Sequence, residues 1–340
     1  MERKLASIRR ISDIRPIDGA DKIELATVGG WNVVVGKDVG HKVGDMVVYC
    51  EVDSFLPIKE QFEFLRKNSY KKMLDQEGFR LRTIKLRGQI SQGLILPLAE
   101  TFGDFSWTAY EGMDVTERLG IVKYEPPIPA ELAGKVKGGF PSFIPKTDEE
   151  RVQNLTKEYE EWKYQSKHQF YVTEKLDGSS ATFYFKDGEF GVCSRNLELL
   201  ETEGNTFWKV ARELDLENKM KSLGKNISLQ GELIGEGIQG NRYNLKGQTV
   251  RFFTGFNIDK YQRIPLVEMV VMLMDMGLEY VPILNQEFGF LLPDTVEEML
   301  NYAEGKSALN DKKEREGVVV RSMDGTISFK AISNKFLLEE

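Results

Sequence analysis

The stretch Lys22-Ile-Glu-Leu-Ala-Thr-Val-Gly-Gly-Trp-Asn-Val-Val-Val35 reads as two β-strands, Lys22–Val28 and Trp31–Val35, joined by the two-residue turn Gly29-Gly30. Met46–Val52 follows the turn Gly44-Asp45, and Phe79–Leu86 and Gly93–Leu96 bring the first hundred residues to about five short strands. Further out, Asp114–Leu119 predicts a turn or two of helix. Pro126, Pro127, Pro129, Pro141 and Pro145, set among Gly134, Gly138 and Gly139, then predict a linker, because such punctuation sustains neither a helix nor a central strand. Thr147, with Glu150 three residues on, predicts a helix opened by a capping box. From there strands are expected at 169–174, 181–185, 189–194, 227–234, 250–258, 317–321 and 326–331, and helices at 205–222, 265–276 and 294–304. Met269, Met272, Met274 and Met276 read as core packing. Strand runs without strict βα alternation predict an α+β chain: a small N-terminal β-barrel at 1–100, a linker at 101–146, and at 147–340 a domain of antiparallel sheets with flanking helices.

Length and composition bound the function. A chain of 340 residues suits two domains, and 41% hydrophobic with 29% charged residues excludes a mainly disordered one. No apolar stretch approaches the roughly 18 residues of a membrane span, and the charged start Met1–Arg10 is unlike a secretory signal. Cys50 and Cys193 lack the spacing of a disulfide framework or a zinc site, so a cytoplasmic or other reducing compartment is expected. The net charge of −7 hides a local contrast: residues 1–100 carry 17 Lys and Arg against 14 Asp and Glu. The excess concentrates in 59–88, where Lys71, Lys72, Arg80, Arg82, Lys85 and Arg87 are candidate phosphate contacts. Five short strands suit an OB-fold, a frequent nucleic-acid platform. Pro16-Ile-Asp-Gly-Ala-Asp-Lys-Ile-Glu-Leu25 also resembles the tRNA-binding OB modules attached to some tRNA synthetases.

One motif is set aside. Gly235-Glu-Gly-Ile-Gln-Gly240 has dinucleotide-fingerprint spacing, but the turn composition Asn241-Arg-Tyr-Asn-Leu-Lys-Gly247 follows where that fingerprint needs a helix. A glycine loop near an active site is the better reading. The informative segment is Thr173-Glu-Lys-Leu-Asp-Gly-Ser-Ser180, accompanied by Ser194-Arg-Asn196, Gly231-Glu-Leu233, Phe253-Thr-Gly-Phe-Asn-Ile258, Glu316-Gly-Val-Val-Val-Arg321 and Ser328-Phe-Lys330. In this order, over about 168–335, they resemble the motif series of the covalent nucleotidyltransferases, the polynucleotide ligases and messenger RNA capping enzymes.

The chemistry explains why these residue types belong together. A lysine amine that attacks the α-phosphorus of ATP holds AMP as a phosphoramidate. An ordinary lysine, with a pKa of about 10.4, is protonated at neutral pH. A second cation, desolvation or a bound metal favours the neutral amine. Carboxylates then place Mg²⁺ or Mn²⁺, or its waters, at the α-phosphate. Asp177, Glu232 and Glu316 are the candidates.

The remaining roles are what the resemblance implies. Lys175 matches the adenylated nucleophile, with Glu174 meeting adenine through its backbone. Arg195 matches the arginine that contacts the nucleotide and the recipient 5′-phosphate. Phe256 matches the aromatic stacked on adenine, and Glu232 the acid serving ribose or metal. Lys330 matches the first lysine of the last motif, on the α-phosphate. The usual second lysine is here Ile332, with Lys335 a possible substitute. Arg151 is a candidate for reaching the leaving phosphates.

Domain order narrows the resemblance. Typical DNA ligases and capping enzymes place an OB domain after the nucleotidyltransferase domain, whereas here ten residues follow Lys330 and the OB-like module precedes. That order resembles a branch of ATP-dependent RNA ligases that seal nicked duplexes with RNA on the 3′-hydroxyl side. It implies a monomer acting on nicked RNA or RNA–DNA duplexes, away from membranes. The alternatives are an ATP-dependent DNA nick ligase and a non-catalytic RNA-binding protein.

Overall fold

The computed structural model describes residues 3–73, 75–103, 109–125, 135–164, 169–285 and 289–339. Pro126, Pro127, Pro129 and Gly134 of the expected linker lie outside the described residues. The chain divides into two compact units. The first comprises Met1–Pro127, Glu150–Glu160 and Leu337–Glu340, the second Ile128–Glu149 and Glu161–Phe336.

In the first unit the Gly-Gly hairpin forms as read, with Val28 paired to Trp31 and Gly29 in the left-handed region at φ 57°. Alternation along Trp31–Gly36 buries Trp31, Val33 and Val35 against Ile11, Val28, Val47 and Tyr49. Each such side chain contributes about 1.5–3 kcal/mol. The sheet runs Leu94–Pro97, Met46–Cys50, Ala6–Pro16, Ile23–Val28, Trp31–Gly36, all antiparallel. A second sheet joins Val122–Lys123, Ser54–Pro57, Gln76–Arg80 and Tyr70–Met73, and Thr83–Leu86 pairs with Gln89–Gln92 as a separate ribbon. This is the OB-type arrangement.

The second unit is built on an antiparallel sheet ordered Val136–Gly139, Leu197–Leu199, Glu189–Cys193, Ser179–Lys186, Ile227–Gly235, Gln248–Asn257, Gln262–Arg263. Val136–Gly139, in the glycine-rich stretch, lies at its edge, where weak pairing is tolerated. Helices Thr206–Glu213, Leu216–Ser222 and Leu266–Asp275 cover one face, packing Phe207, Val210, Met220, Met269 and Leu273 on Phe183, Leu229 and Phe252. Phe170–Lys175, Gly317–Ser322 and Ser328–Ile332 pair in a second antiparallel group.

Four expectations change. The strand expected at Phe79–Leu86 is two, Gln76–Arg80 and Thr83–Leu86, in different sheets. The single helix at 205–222 is two, broken where Asp215 adopts a left-handed conformation. Met274 is 71% exposed, while Met269 and Met272 join the core. No helix opens at Thr147; the helix runs Thr156–Tyr164, and Glu150–Arg151 is extended. The carboxylates of this stretch are engaged elsewhere: Asp148 and Glu149 pair with cations of the second unit, and Glu150, the expected capping-box partner, accepts from Asn154.

Candidate active site

Lys175 ends the strand Phe170–Lys175, opposite Gly317, and its Nζ donates to Glu316 Oε1 at 2.6 Å. The turn that follows presses onto the neighbouring sheet. A Cβ at Gly178 would sit 2.4 Å from the Leu233 carbonyl oxygen and 2.9 Å from Glu232 Cγ, so glycine is what admits the approach. Leu176 is buried with Ile234, Tyr243 and Val281, which anchors the lysine from behind. The Asp177 amide donates to Tyr243 Oη at 2.6 Å. Tyr243 comes from the glycine loop after Gly235, so that loop does serve the Lys175 turn.

Strand register selects which side chains share this face. Ile227, Leu229 and Leu233 point into the helix-covered core, leaving Ser228, Gln230 and Glu232 on the other side. Glu232 is paired with Ser180, Gln230 with Thr182 and Thr254, and Ser228 with Tyr184 and Phe256. On this face Ser228 Oγ and Gln230 Oε1 are buried with no hydrogen-bond partner. Such polar atoms are costly unless something satisfies them, and the edges of a heterocycle fit that need. Phe256 is 3% exposed, packed with Ile144, Tyr184, Cys193 and Ile258 and edge-on to Tyr261, so it forms part of the face's apolar end. Glu174 is buried, its Oε2 accepting from the Ala308 amide at 2.7 Å and its own amide donating to the Pro282 carbonyl.

Lys330 lies on the Thr173–Val319–Lys330 rung, on the same side as Lys175. Ile332 takes the rung of Lys175, two strands away across Gly317, and is buried. Lys335 pairs with Glu304 at 2.9 Å. Arg195, on the bend after Glu189–Cys193, and Lys330 both donate to Asp148, at 2.9 Å each. Asp148 and Tyr243 were not singled out in the sequence; neither lies in a recognisable motif.

Burial acts to lower the Lys175 pKa, but Glu316, Glu232 and Asp177 together raise it above the ordinary 10.5. Burial, reinforced by Glu316 and Asp177 and opposed by Lys175 and Arg195, pushes the Glu232 carboxyl up to about 8. Among the described residues no three His, Cys, Asp or Glu side chains converge as a ready metal cage. Asp177, Glu232 and Glu316 instead form a loose carboxylate surround. That fits a hard cation that keeps several waters and takes phosphate oxygens as ligands.

The Glu232 shift has a measurable sign. A carboxyl whose folded pKa is raised contributes stability below its unfolded value of about 4.5 that is lost as pH rises through about 8. In buffer with chelator, the wild-type Tm is expected to fall between pH 5 and pH 8 more steeply than that of Glu232→Gln. Parallel melting curves for the two proteins across that range would contradict the assignment.

The other candidates lie in the first unit. Arg151 is buried, donates to Asp53 at 3.1 Å and lies over Trp31 at 5.7 Å. Arg80 packs on Tyr124 at 4.5 Å and pairs with Asp53 at 3.5 Å, a bracing position. Lys72 pairs with Glu77 at 2.9 Å beside exposed Lys71. Arg82, Lys85 and Arg87 are exposed on and beside the Thr83–Leu86/Gln89–Gln92 ribbon, with Arg87 in the left-handed region at its tip.

Comparison with known proteins follows the same division. A family model described as RNA ligase matches residues 168–335, and one described as an OB-fold domain matches residues 5–98. No curated protein matches the chain. Among solved structures it is similar to a Naegleria gruberi RNA ligase with PPi, 45% identical with a TM-score of 0.91, covering 99% of this chain and 98% of that one. Two variants of that ligase are each 44% identical with TM-scores of 0.92 and 99% of both chains covered. One has lysine replaced by alanine and was solved with ATP and Mn; the other has glutamate replaced by alanine and was solved with AMP and Mn.

Proposed function

Since the chain belongs to the RNA ligase family, we propose that it is an ATP-dependent enzyme that joins RNA 3′-hydroxyl and 5′-phosphate ends at duplex nicks through a lysine–AMP intermediate. The observation that carries this reading is Lys175 held at 2.6 Å by Glu316, with Lys330 on the same side of its sheet and Glu232 of the neighbouring sheet near enough to act on its charge. The nucleotide and metal in the Naegleria gruberi complexes support the choice of ATP and a divalent cation.

In the first step Lys175 Nζ, having lost its proton, attacks the α-phosphorus; an N–P bond forms as the P–O bond to pyrophosphate breaks. In the second, a 5′-phosphate oxygen takes the AMP and the N–P bond breaks. In the third, the 3′-hydroxyl attacks the 5′-phosphorus and AMP leaves. Asp177, Glu232 and Glu316 would hold a divalent cation, which would supply positive charge at the phosphates. The chain's own residues position and neutralise. Lys330 and Arg195 bring cationic donors to phosphate oxygens, and the unsatisfied Gln230 oxygen offers an acceptor to the base. Lys71, Arg82, Lys85 and Arg87 on the OB-type unit are exposed cations suited to backbone phosphates, so substrate binding should weaken with salt.

The test compares nicked duplexes that differ only in the sugar of the 3′-hydroxyl nucleotide. Sealing is expected with ribose and not with deoxyribose. Equal sealing of both would replace this reading with a DNA nick ligase. Binding of RNA with no sealing and no enzyme–AMP would replace it with a non-catalytic RNA-binding protein.

A further inference from the structure

Asp148 spans the two cations that the proposed reaction assigns to phosphate. Its Oδ1 accepts from Lys330 Nζ and its Oδ2 from Arg195 Nη2, each at 2.9 Å. The donors come from different parts of the second unit, one from the strand Ser328–Ile332 and one from the bend after Glu189–Cys193. Two cations converging this closely repel each other unless an anion lies between them. A carboxylate whose two oxygens each take one donor makes the same kind of charge-assisted contact as two oxygens of a phosphate.

Exposure shows which partner can leave. The Lys330 side chain is 11% exposed, so its ammonium is fixed, whereas Asp148 at 37% and Arg195 at 44% both reach water, and the carboxylate can turn out to it. The next residue does the opposite. Glu149, 10% exposed, is held by Arg321 at 3.1 Å, which ties the backbone beside Asp148 to the sheet.

We propose that Asp148 is a built-in stand-in for phosphate: it keeps Lys330 and Arg195 converged, and gives up its place when the phosphate of the nucleotide arrives. This rests on the ligase reading of Lys330 and Arg195. Asp148 thereby sets the affinity of the site for phosphate, because each binding event must separate the carboxylate from both cations. Removing its charge removes that competition.

The test is calorimetric titration of AMP, with Mg²⁺ present, into the full-length wild type, Asp148→Asn and Asp148→Glu. Asp148→Asn should bind AMP about tenfold more tightly, equivalent to about 1.4 kcal/mol. Its KM for ATP should fall in parallel, and Asp148→Glu, which restores the carboxylate, should stay near wild type. Thermal melts with inorganic phosphate give a readout free of catalysis: phosphate should raise the Tm of Asp148→Asn more than that of wild type. Equal or weaker AMP binding by a folded Asp148→Asn, or equal phosphate shifts, would overturn the proposal. Wild type that neither binds AMP nor forms a lysine adduct would overturn the ligase reading beneath it.

Discussion

With α-³²P-labelled ATP and Mg²⁺, and after pyrophosphate treatment to strip AMP acquired during expression, wild-type protein is expected to carry label through a denaturing gel while Lys175→Ala carries none. The loss should exceed about 10⁴-fold, since no neighbouring group replaces a covalent nucleophile. Alanine also removes the cation that faces Glu316, Glu232 and Asp177, so a folding defect is a competing cause of failure. Lys175→Arg separates the two. Its guanidinium keeps the positive charge beside Glu316 but does not deprotonate in a protein, with a pKa above about 12. Lys175→Arg should melt near the wild-type temperature and still take up no label. Label on the arginine variant would mean that another side chain is the nucleophile.

What the sequence made legible, and what it hid, follows the range of the interactions. The Gly29-Gly30 hairpin, the alternation of Ile227–Gly235 and the turn after Lys175 are local, and period-two patterning with glycine at the turn discloses them. The pairing of Lys175 with Glu316 spans 141 residues and was approachable only because both lie in motifs of a resembled family. Asp148 meets Lys330 across 182 residues. Locally it sits in a passable helix-capping sequence, and the misread helix at Thr147 and the missed partner of Lys330 and Arg195 are therefore one error. Helix signals price a side chain against its own backbone; here two cations from distant segments outbid it. Tyr243 was hidden for a related reason, since what matters is its hydroxyl receiving the Asp177 amide, and a tyrosine in a turn-rich loop announces nothing. Arg151 shows the reverse: a free-standing arginine in the sequence, it is buried against Trp31 and Asp53.

Glu316→Gln is expected to lower the rate of lysine adenylylation about 10²–10³-fold, the usual cost of removing one preorganised charge at a reacting centre. The prediction is sharp because Glu316 has two effects on Lys175 that oppose each other. As an anion at 2.6 Å it raises the pKa of the amine and so holds it in the unreactive ammonium form. Glutamine removes that influence, and on proton grounds alone the variant would be faster at neutral pH. On the proposed reading, however, Glu316 would also help hold the cation whose charge activates the phosphate and offsets the acids beside the lysine, and glutamine would remove that too. The pH dependence tells the effects apart. Single-turnover adenylylation by wild type should climb with pH until the amine is deprotonated; in Glu316→Gln the climb should begin at lower pH and level off at a much lower rate. The backbone should be undisturbed, because the Ser333 amide bonds to the Glu316 carbonyl rather than to its side chain. A variant that is faster than wild type at pH 7 would reduce Glu316 to a structural partner of Lys175, leaving Glu232 and Asp177 to meet the metal without it.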